Sequence, residues 1–233
     1  MRGSQRINRL LQALLPNACV LCGATPDLLC EACARTLPRL THHCSRCAEP
    51  MHTPTELCGQ CVQQPPPFQR VIAPWLYAQP LDFLIKSLKF NQQLAMARLL
   101  GQQLATLVAD QKPHIDAIIP VPLHPSRLRQ RGFNQALEIA RPLSRQLGIP
   151  IDAHSVIRTQ ATPSQTRLTK EQRKRNLQQA FAVKKPLTFK RVAIVDDVMT
   201  SGQTVTALTH TMQQAGISHT EIWICARTPA PNF

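Results

Sequence analysis

Aromatic side chains are scarce: seven Phe, two Trp and one Tyr make up 4% of the 233 residues. A groove that stacks successive bases on aromatic platforms is therefore disfavoured, and any grip on a polyanion has to come from charge. Acidic residues are scarce as well, with 13 Asp and Glu against 27 Lys and Arg, a formal net charge of +14. No apolar run is long enough to span a bilayer, so no membrane helix is expected. The Gly-x-x-x-x-Gly-Lys spacing of a P-loop is missing. The Leu10–Leu15 patch is short, ends at Pro16 and has no small-residue cleavage site, so it does not read as a secretory leader. A cytoplasmic protein is expected.

The positive charge is unevenly placed. Residues 123–191 hold fifteen Lys/Arg and three Asp/Glu, a formal +12, whereas residues 1–65 hold six Arg and four acids, a formal +2. Such a field attracts nucleic acid, nucleotides or pyrophosphate. The hydrophobic content of 43% suffices for one sizeable core and a small second domain.

Eight of the nine cysteines form four Cys-x-x-Cys pairs: Cys19/Cys22, Cys30/Cys33, Cys44/Cys47 and Cys58/Cys61. Four thiolates satisfy the tetrahedral preference of zinc, so eight suit two closed structural sites. The segment is too small and polar to hold a core unaided, and metal binding would supply its folding energy. A disulfide framework needs an oxidising compartment, and a thioredoxin-like role uses one such pair, not four in succession. Sequential pairing, with Cys19, Cys22, Cys30 and Cys33 on one ion and Cys44, Cys47, Cys58 and Cys61 on the other, gives the shortest loops; a cross-braced arrangement is the alternative. His42, His43 and His52 lie nearby as substitute ligands or surface residues. This module carries little positive charge, so it is expected to support folding or meet a protein partner more than to grip DNA.

Ahead of it, Ile7, Leu10, Leu11, Leu14 and Leu15 have the spacing of an amphipathic helix over residues 4–15. Behind it, the Pro-rich stretch at residues 63–68 reads as a stiff linker, dividing a module over 1–65 from a domain over 66–233. A strand is expected at Val71–Tyr77, helices around Leu81–Leu88 and Leu94–Val108, a strand at Ile115–Val121, a helix from Asn134 to about Gln146 and a last strand at Thr220–Ala226. Strands alternating with helices predict an α/β doubly wound, mostly parallel sheet with ligands at the strands' carboxyl ends. Arg127, Arg129 and Arg131 leave one strand end on a loop, where guanidinium groups suit a diphosphate or backbone phosphates. Residues 159–176 are polar, basic and without apolar periodicity, a candidate mobile lid carrying Arg167, Lys170, Arg173, Lys174 and Arg175.

The most informative stretch runs from Val192 to Thr204. Its β-branched start reads as a strand buried on both faces. Asp196 and Asp197 fall where that strand should end, Thr200, Ser201, Gly202, Gln203 and Thr204 form a turn, and Val205, Leu208 and Met212 then have helical spacing. Amides at a helix N-terminus suit a phosphate, Gly202 lets the backbone approach it, and the carboxylates can accept hydrogen bonds from sugar hydroxyls. Together these features describe a ribose 5-phosphate site.

This stretch resembles the PRPP-binding motif of type I phosphoribosyltransferases. The resemblance implies that Asp196 and Asp197 hold the ribose hydroxyls, that the loop holds the 5-phosphate, and that magnesium bridges sugar and pyrophosphate. The whole chain is similar to the ComF/GntX family, in which a double zinc-ribbon-type module precedes a phosphoribosyltransferase-like domain. The matching pieces are the four Cys pairs, Pro120-Val-Pro122, Arg131-Gly-Phe-Asn-Gln135, Arg173–Asn176 with Ala180-Phe181, and Asp196–Thr204. Ser201 stands where many relatives have threonine, which keeps the hydroxyl. The resemblance implies a DNA-uptake or DNA-utilisation protein that binds single-stranded DNA on its basic surface and PRPP, or a related ligand, in its loop. The alternative is an active phosphoribosyltransferase with an unidentified acceptor, and no side chain declares itself as that acceptor's base.

Overall fold

The computed structural model describes residues 18–24, 27–52, 56–160 and 180–230. The amphipathic segment at 4–15 and most of the polar stretch at 159–176, with Arg167, Lys170, Arg173, Lys174 and Arg175, lie outside them. Two short helices, α1 (Glu31–Arg35) and α2 (Gly59–Gln63), belong to the cysteine-rich part. There follow β1 (Arg70–Ile72), β2 (Trp75–Leu76), α3 (Leu81–Asn91), α4 (Leu94–Asp110), β3 (Ala117–Pro120), α5 (Pro125–Arg131) and α6 (Gln135–Leu147). The chain is completed by β4 (Val156–Arg158), β5 (Phe181–Val183), β6 (Arg191–Met199), α7 (Gln203–Gln214) and β7 (His219–Arg227).

The central sheet runs in the order β1-β7-β6-β3, with β2 also on β7, and every pairing is parallel. Ala73 and Pro74 break the expected first strand into β1 and β2, because proline cannot donate to a ladder. β6 and β7 are buried on both faces. Ala193, Val195, Trp223 and Cys225 pack into one core with α3, α4 and α6, while Val192, Ile194, Ile222 and Ile224 pack into another with α7 and β5. The sheet is thus covered on both sides, as parallel sheets require. Cys225 is fully buried, in keeping with a small apolar packing role.

The helices follow their apolar periodicity. Leu81, Leu84, Ile85 and Leu88 of α3 are wholly buried. In α4 the buried set Met96, Ala97, Leu100, Gly101, Leu104, Ala105 and Val108 makes one stripe. Gly101 lets α4 approach α6 closely: a Cβ there would come within 2.5 Å of the Ile139 carbonyl oxygen and 2.4 Å of Pro142 Cγ. Because one of these atoms is backbone, Gly101→Ala is expected to cost about 2–4 kcal/mol and to lower Tm by roughly 5–10 °C. Thermal unfolding checks this, and an unchanged Tm would show that the two helices can part freely.

Two connections diverge beside the same pair of strands. β6 continues through α7 to β7 on one side, whereas β3 continues through α5 and α6 to Ile151, which bridges Ile118 at the opposite edge. The crevice outside the carboxyl ends of β3 and β6 is therefore the switch point at which open α/β sheets bind ligands. The antiparallel pair β4–β5 is a separate two-stranded ribbon.

Candidate functional site

Asp196 and Asp197 lie toward the carboxyl end of β6, which does not stop at the acids as expected but pairs with β7 for two more residues, to Met199. Their carboxylates first satisfy local backbone: Asp196 Oδ1 accepts from the Asp197 amide at 2.9 Å, and Asp197 Oδ1 accepts from the Val198 amide at 2.8 Å. Asp197 is buried, and its Oδ2 forms an ion pair with Lys89 Nζ at 2.7 Å. Asp196 is half-buried. Burial, and next the charge of Asp197, push its pKa up to about 7. The two acids are therefore unequal, Asp197 paired with a lysine and Asp196 poised near neutrality.

The turn that follows is open rather than packed. Thr200, Ser201 and Gln203 are exposed, and Gly202 takes φ +73°, a left-handed conformation at the N-cap of α7. No side chain caps this helix. Its first-turn amides have no intrahelical acceptor, so they and the positive end of the helix dipole are presented outward. A Cβ on Gly202 would meet only the Met199 side chain, at 3.7 Å, so glycine is needed there for its φ and not for space.

A cavity of about 530 Å³ has walls that include Tyr77, Lys86, Lys89, Phe90, Arg127, Arg131 and Arg158. Neither the 200–204 turn nor the two acids are among those walls, but three basic residues of the cavity interact with the acids. Lys89 reaches Asp197, while Arg131 and Arg158 feel the acids electrostatically. Burial lowers the pKa of both arginines; the Asp196 charge works against this in each, and the nearby Arg127 adds to it.

The three arginines expected on a loop stand instead on α5. Pro125 occupies its first turn and His124 caps it, accepting from the Ser126 amide at 3.3 Å. Arg127 and Arg131, four residues apart, share the face toward the cavity, whereas Arg129 is exposed and is not among the walls. Asn134 caps α6 as expected, accepting from the Ala136 amide at 3.0 Å and donating to the Val121 carbonyl at 3.1 Å. Lys89, Arg158 and Tyr77 were not singled out by the sequence. Lys89 reads as one charge on an amphipathic helix, and Arg158 sits in a three-residue strand whose partner lies beyond the basic stretch.

The eight paired cysteines form two groups, Cys19/Cys22/Cys30/Cys33 and Cys44/Cys47/Cys58/Cys61, with all ligand atoms of a group within 4.8 Å of one another. Pairing is sequential and not cross-braced. Zinc with Zn–S bonds of about 2.3 Å separates its sulfurs by about 3.8 Å in a tetrahedron. The Cys22–Cys30 and Cys47–Cys58 sulfurs are 3.7 and 3.6 Å apart, which fits. Within each group the thiols are electrostatically unequal. The Cys30 backbone amide brings Cys19 down to about 6, while side-chain hydrogen bonds, first from Cys22, push Cys33 up to about 12. In the second group Cys44 comes down to about 7 against the effect of burial, held by the Cys58, Cys47 and Arg46 amides, and burial pushes Cys61 up to about 12. Four thiolates so close together are stable only around a divalent ion. His42, His43 and His52 belong to neither group.

Comparison with known proteins agrees with both halves. Residues 10–62 match the double zinc ribbon domain and residues 134–230 the phosphoribosyl transferase domain. The chain is 36% identical over 225 residues to DNA utilization protein YhgH of Salmonella typhi, covering 92% of this chain and 98% of that one. It is 33% identical over 207 residues to competence protein F of Haemophilus influenzae, covering 85% and 90% respectively. Among solved structures, the glutamine phosphoribosylpyrophosphate amidotransferase of B. subtilis overlaps 55% of this chain and 25% of its own, at 18% identity and a TM-score of 0.39.

The fold and the two cysteine groups define a phosphoribosyltransferase-type α/β domain carrying a double zinc ribbon with two structural zinc sites. The chain belongs to the ComF/GntX family, with the DNA utilization and competence proteins as relatives. No helix among the described residues is long and apolar enough to cross a membrane.

Proposed function

We propose that the protein serves DNA utilisation by binding PRPP, or a related ribose 5-phosphate ligand, at the Asp196–Thr204 turn and single-stranded DNA on its basic surface. The observation that carries this reading is the uncapped N-terminus of α7, with its left-handed Gly202, set directly after two acids at the sheet's switch point. In this reading the amides of residues 200–204 hold the 5-phosphate, with donors added by the hydroxyls of Thr200, Ser201 and Thr204. Asp196 and Asp197 accept from the ribose hydroxyls, and Lys89 holds the Asp197 carboxylate in place through its ion pair. Arg127, Arg131 and Arg158 face the pyrophosphate, whose charge magnesium shares; magnesium would be carried in with the ligand. The ribbons, divided from the ligand-binding domain near residue 65, act as a folded head that offers a protein partner a surface.

DNA binding rests on charge. Arg127 and Arg129 are exposed on α5, and Arg167, Lys170, Arg173, Lys174 and Arg175 add to the same basic segment of sequence. Each neutralised single-strand phosphate contributes about −0.7 to the slope of log K against log salt. A slope steeper than about −2 is expected for an unstructured oligonucleotide, with little dependence on base sequence. Fluorescence anisotropy over a salt series measures it, and a flat slope, or no binding at low salt, removes DNA from the proposal.

A further inference from the structure

Arg227, the last residue of β7, is almost wholly buried and lies in none of the walls of the ligand cavity. Its guanidinium nevertheless meets five acceptors, drawn from the second ribbon, from the end of β6 with the turn, and from its own neighbour Thr228. From the second ribbon, the Cys47 carbonyl accepts from Nε at 3.3 Å and the Glu49 carboxylate pairs with Nη2. From the end of β6 and the start of the phosphate turn, Nη1 donates to the Met199 carbonyl at 3.1 Å and to the Thr200 carbonyl, and it also reaches the Thr228 carbonyl at 2.6 Å. Glu49 is itself fixed by the Ala230 amide at 2.7 Å. One side chain thus joins the backbone of a zinc ligand to the first residue of the anion-binding turn. A planar guanidinium with five fixed donors can bridge in this way, whereas a lysine can reach only part of the set.

We propose that Arg227 is a positioning residue through which the second zinc site holds the Thr200–Thr204 turn in its ligand-ready shape. The proposal rests on the reading of that turn as the phosphate site. With zinc bound, the Cys44–Cys47 knuckle is rigid, the Cys47 carbonyl and Glu49 stay in place, and Arg227 is pinned with its Nη1 toward the turn. When the metal leaves, the knuckle loses its tether, Arg227 loses its anchor on that side, and the Thr200 carbonyl is released. The turn's amides then no longer converge. Metal status in the ribbon would in this way be transmitted to ligand affinity without zinc touching the ligand.

The test uses the full zinc-loaded chain, with zinc content checked at two per chain, and the variants Arg227→Met, Arg227→Lys and Glu49→Gln. Amide hydrogen exchange is followed in residues 200–204 and in β3, and Mg²⁺-PRPP is titrated calorimetrically. Losing a charge-assisted network of this kind is expected to raise the Kd about tenfold in Arg227→Met and less in Glu49→Gln, with Arg227→Lys restoring part of the affinity. Exchange in the turn should accelerate about tenfold in Arg227→Met while β3 keeps the wild-type rate. Chelating the zinc should accelerate exchange in the turn of the wild-type protein but add little in Arg227→Met, since the link is already cut. Wild-type exchange in the turn of Arg227→Met, or equal acceleration by chelation in both proteins, overturns the proposal. If wild-type protein does not bind PRPP, the phosphate-site reading falls, and the exchange data still decide whether Arg227 couples zinc to the turn.

Discussion

Asp196→Asn is expected to abolish the rise in Tm that Mg²⁺-PRPP gives, and at the same time to raise the Tm of the ligand-free protein by a few degrees at pH 8. The two halves have one cause. Burial and the adjacent Asp197 raise the Asp196 carboxyl from its ordinary 3.8 to about 7. Between those values the folded state holds a proton that the unfolded chain has released, so stability falls as pH rises through that window. Above about pH 7 the ionised Asp196 is a standing cost, which asparagine removes. The gain from Asp196→Asn should therefore be small at pH 5 and grow to pH 8. A ligand that brings hydroxyl donors and a divalent cation offsets the same cost, which is why natural sites keep such residues at the expense of stability. At a hundredfold excess over Kd a ligand stabilises by about 2.7 kcal/mol, or roughly 5–10 °C for a chain of this size. Differential scanning calorimetry across pH 5–8 with and without ligand reads both effects. An Asp196→Asn protein that is less stable at pH 8, or still stabilised by PRPP, would contradict the assignment.

The second large effect is expected at the ribbons. Cys44→Ser removes one of four sulfurs from the buried second group, leaving a three-thiolate set at a site whose metal supplies its folding energy. Around it, Leu40 and Ala48 pack into the same core as Phe68, Val71 and α7, and the Leu40 amide bonds to the Pro74 carbonyl while the Leu76 amide bonds to Pro38. Loss of the metal therefore costs more than the ribbon. Zinc content is expected to fall from two per chain to one, and Tm by about 10 °C or more. Metal analysis together with thermal unfolding checks this. Full zinc content in the variant would mean that a neighbouring histidine can replace the thiolate.

The parts of this architecture that were legible in the sequence are those encoded by local repetition. The four Cys pairs carry their own spacing, and the Ala193–Val195 run is apolar on both faces because the strand is covered on both. The α3 and α4 periodicities stand out because each helix has one buried stripe. What was not legible depends on contacts between distant segments. The β4–β5 ribbon has three residues per strand and no alternation long enough to notice. The α5 helix was read as a loop because its start signals are only a capping histidine and a proline, and it has no buried residue to give it a stripe. Lys89 becomes informative only because the fold brings its ammonium to Asp197, more than a hundred residues away in the chain. Arg227 falls one residue beyond the strand expected at Thr220–Ala226 and carries no local signal, since its five acceptors come from three separate places in the chain.

The central claim is that the turn after Asp197 grips a sugar phosphate and its pyrophosphate together. Isothermal calorimetry of the wild-type chain with PRPP, ribose 5-phosphate and pyrophosphate, each with Mg²⁺ at pH 8, tests it most directly. PRPP should bind saturably and at least about tenfold more tightly than either fragment, because it alone engages the turn, the acids and the arginines at once. Absence of PRPP binding, or affinity no better than that of pyrophosphate alone, would reduce the site to a basic surface patch.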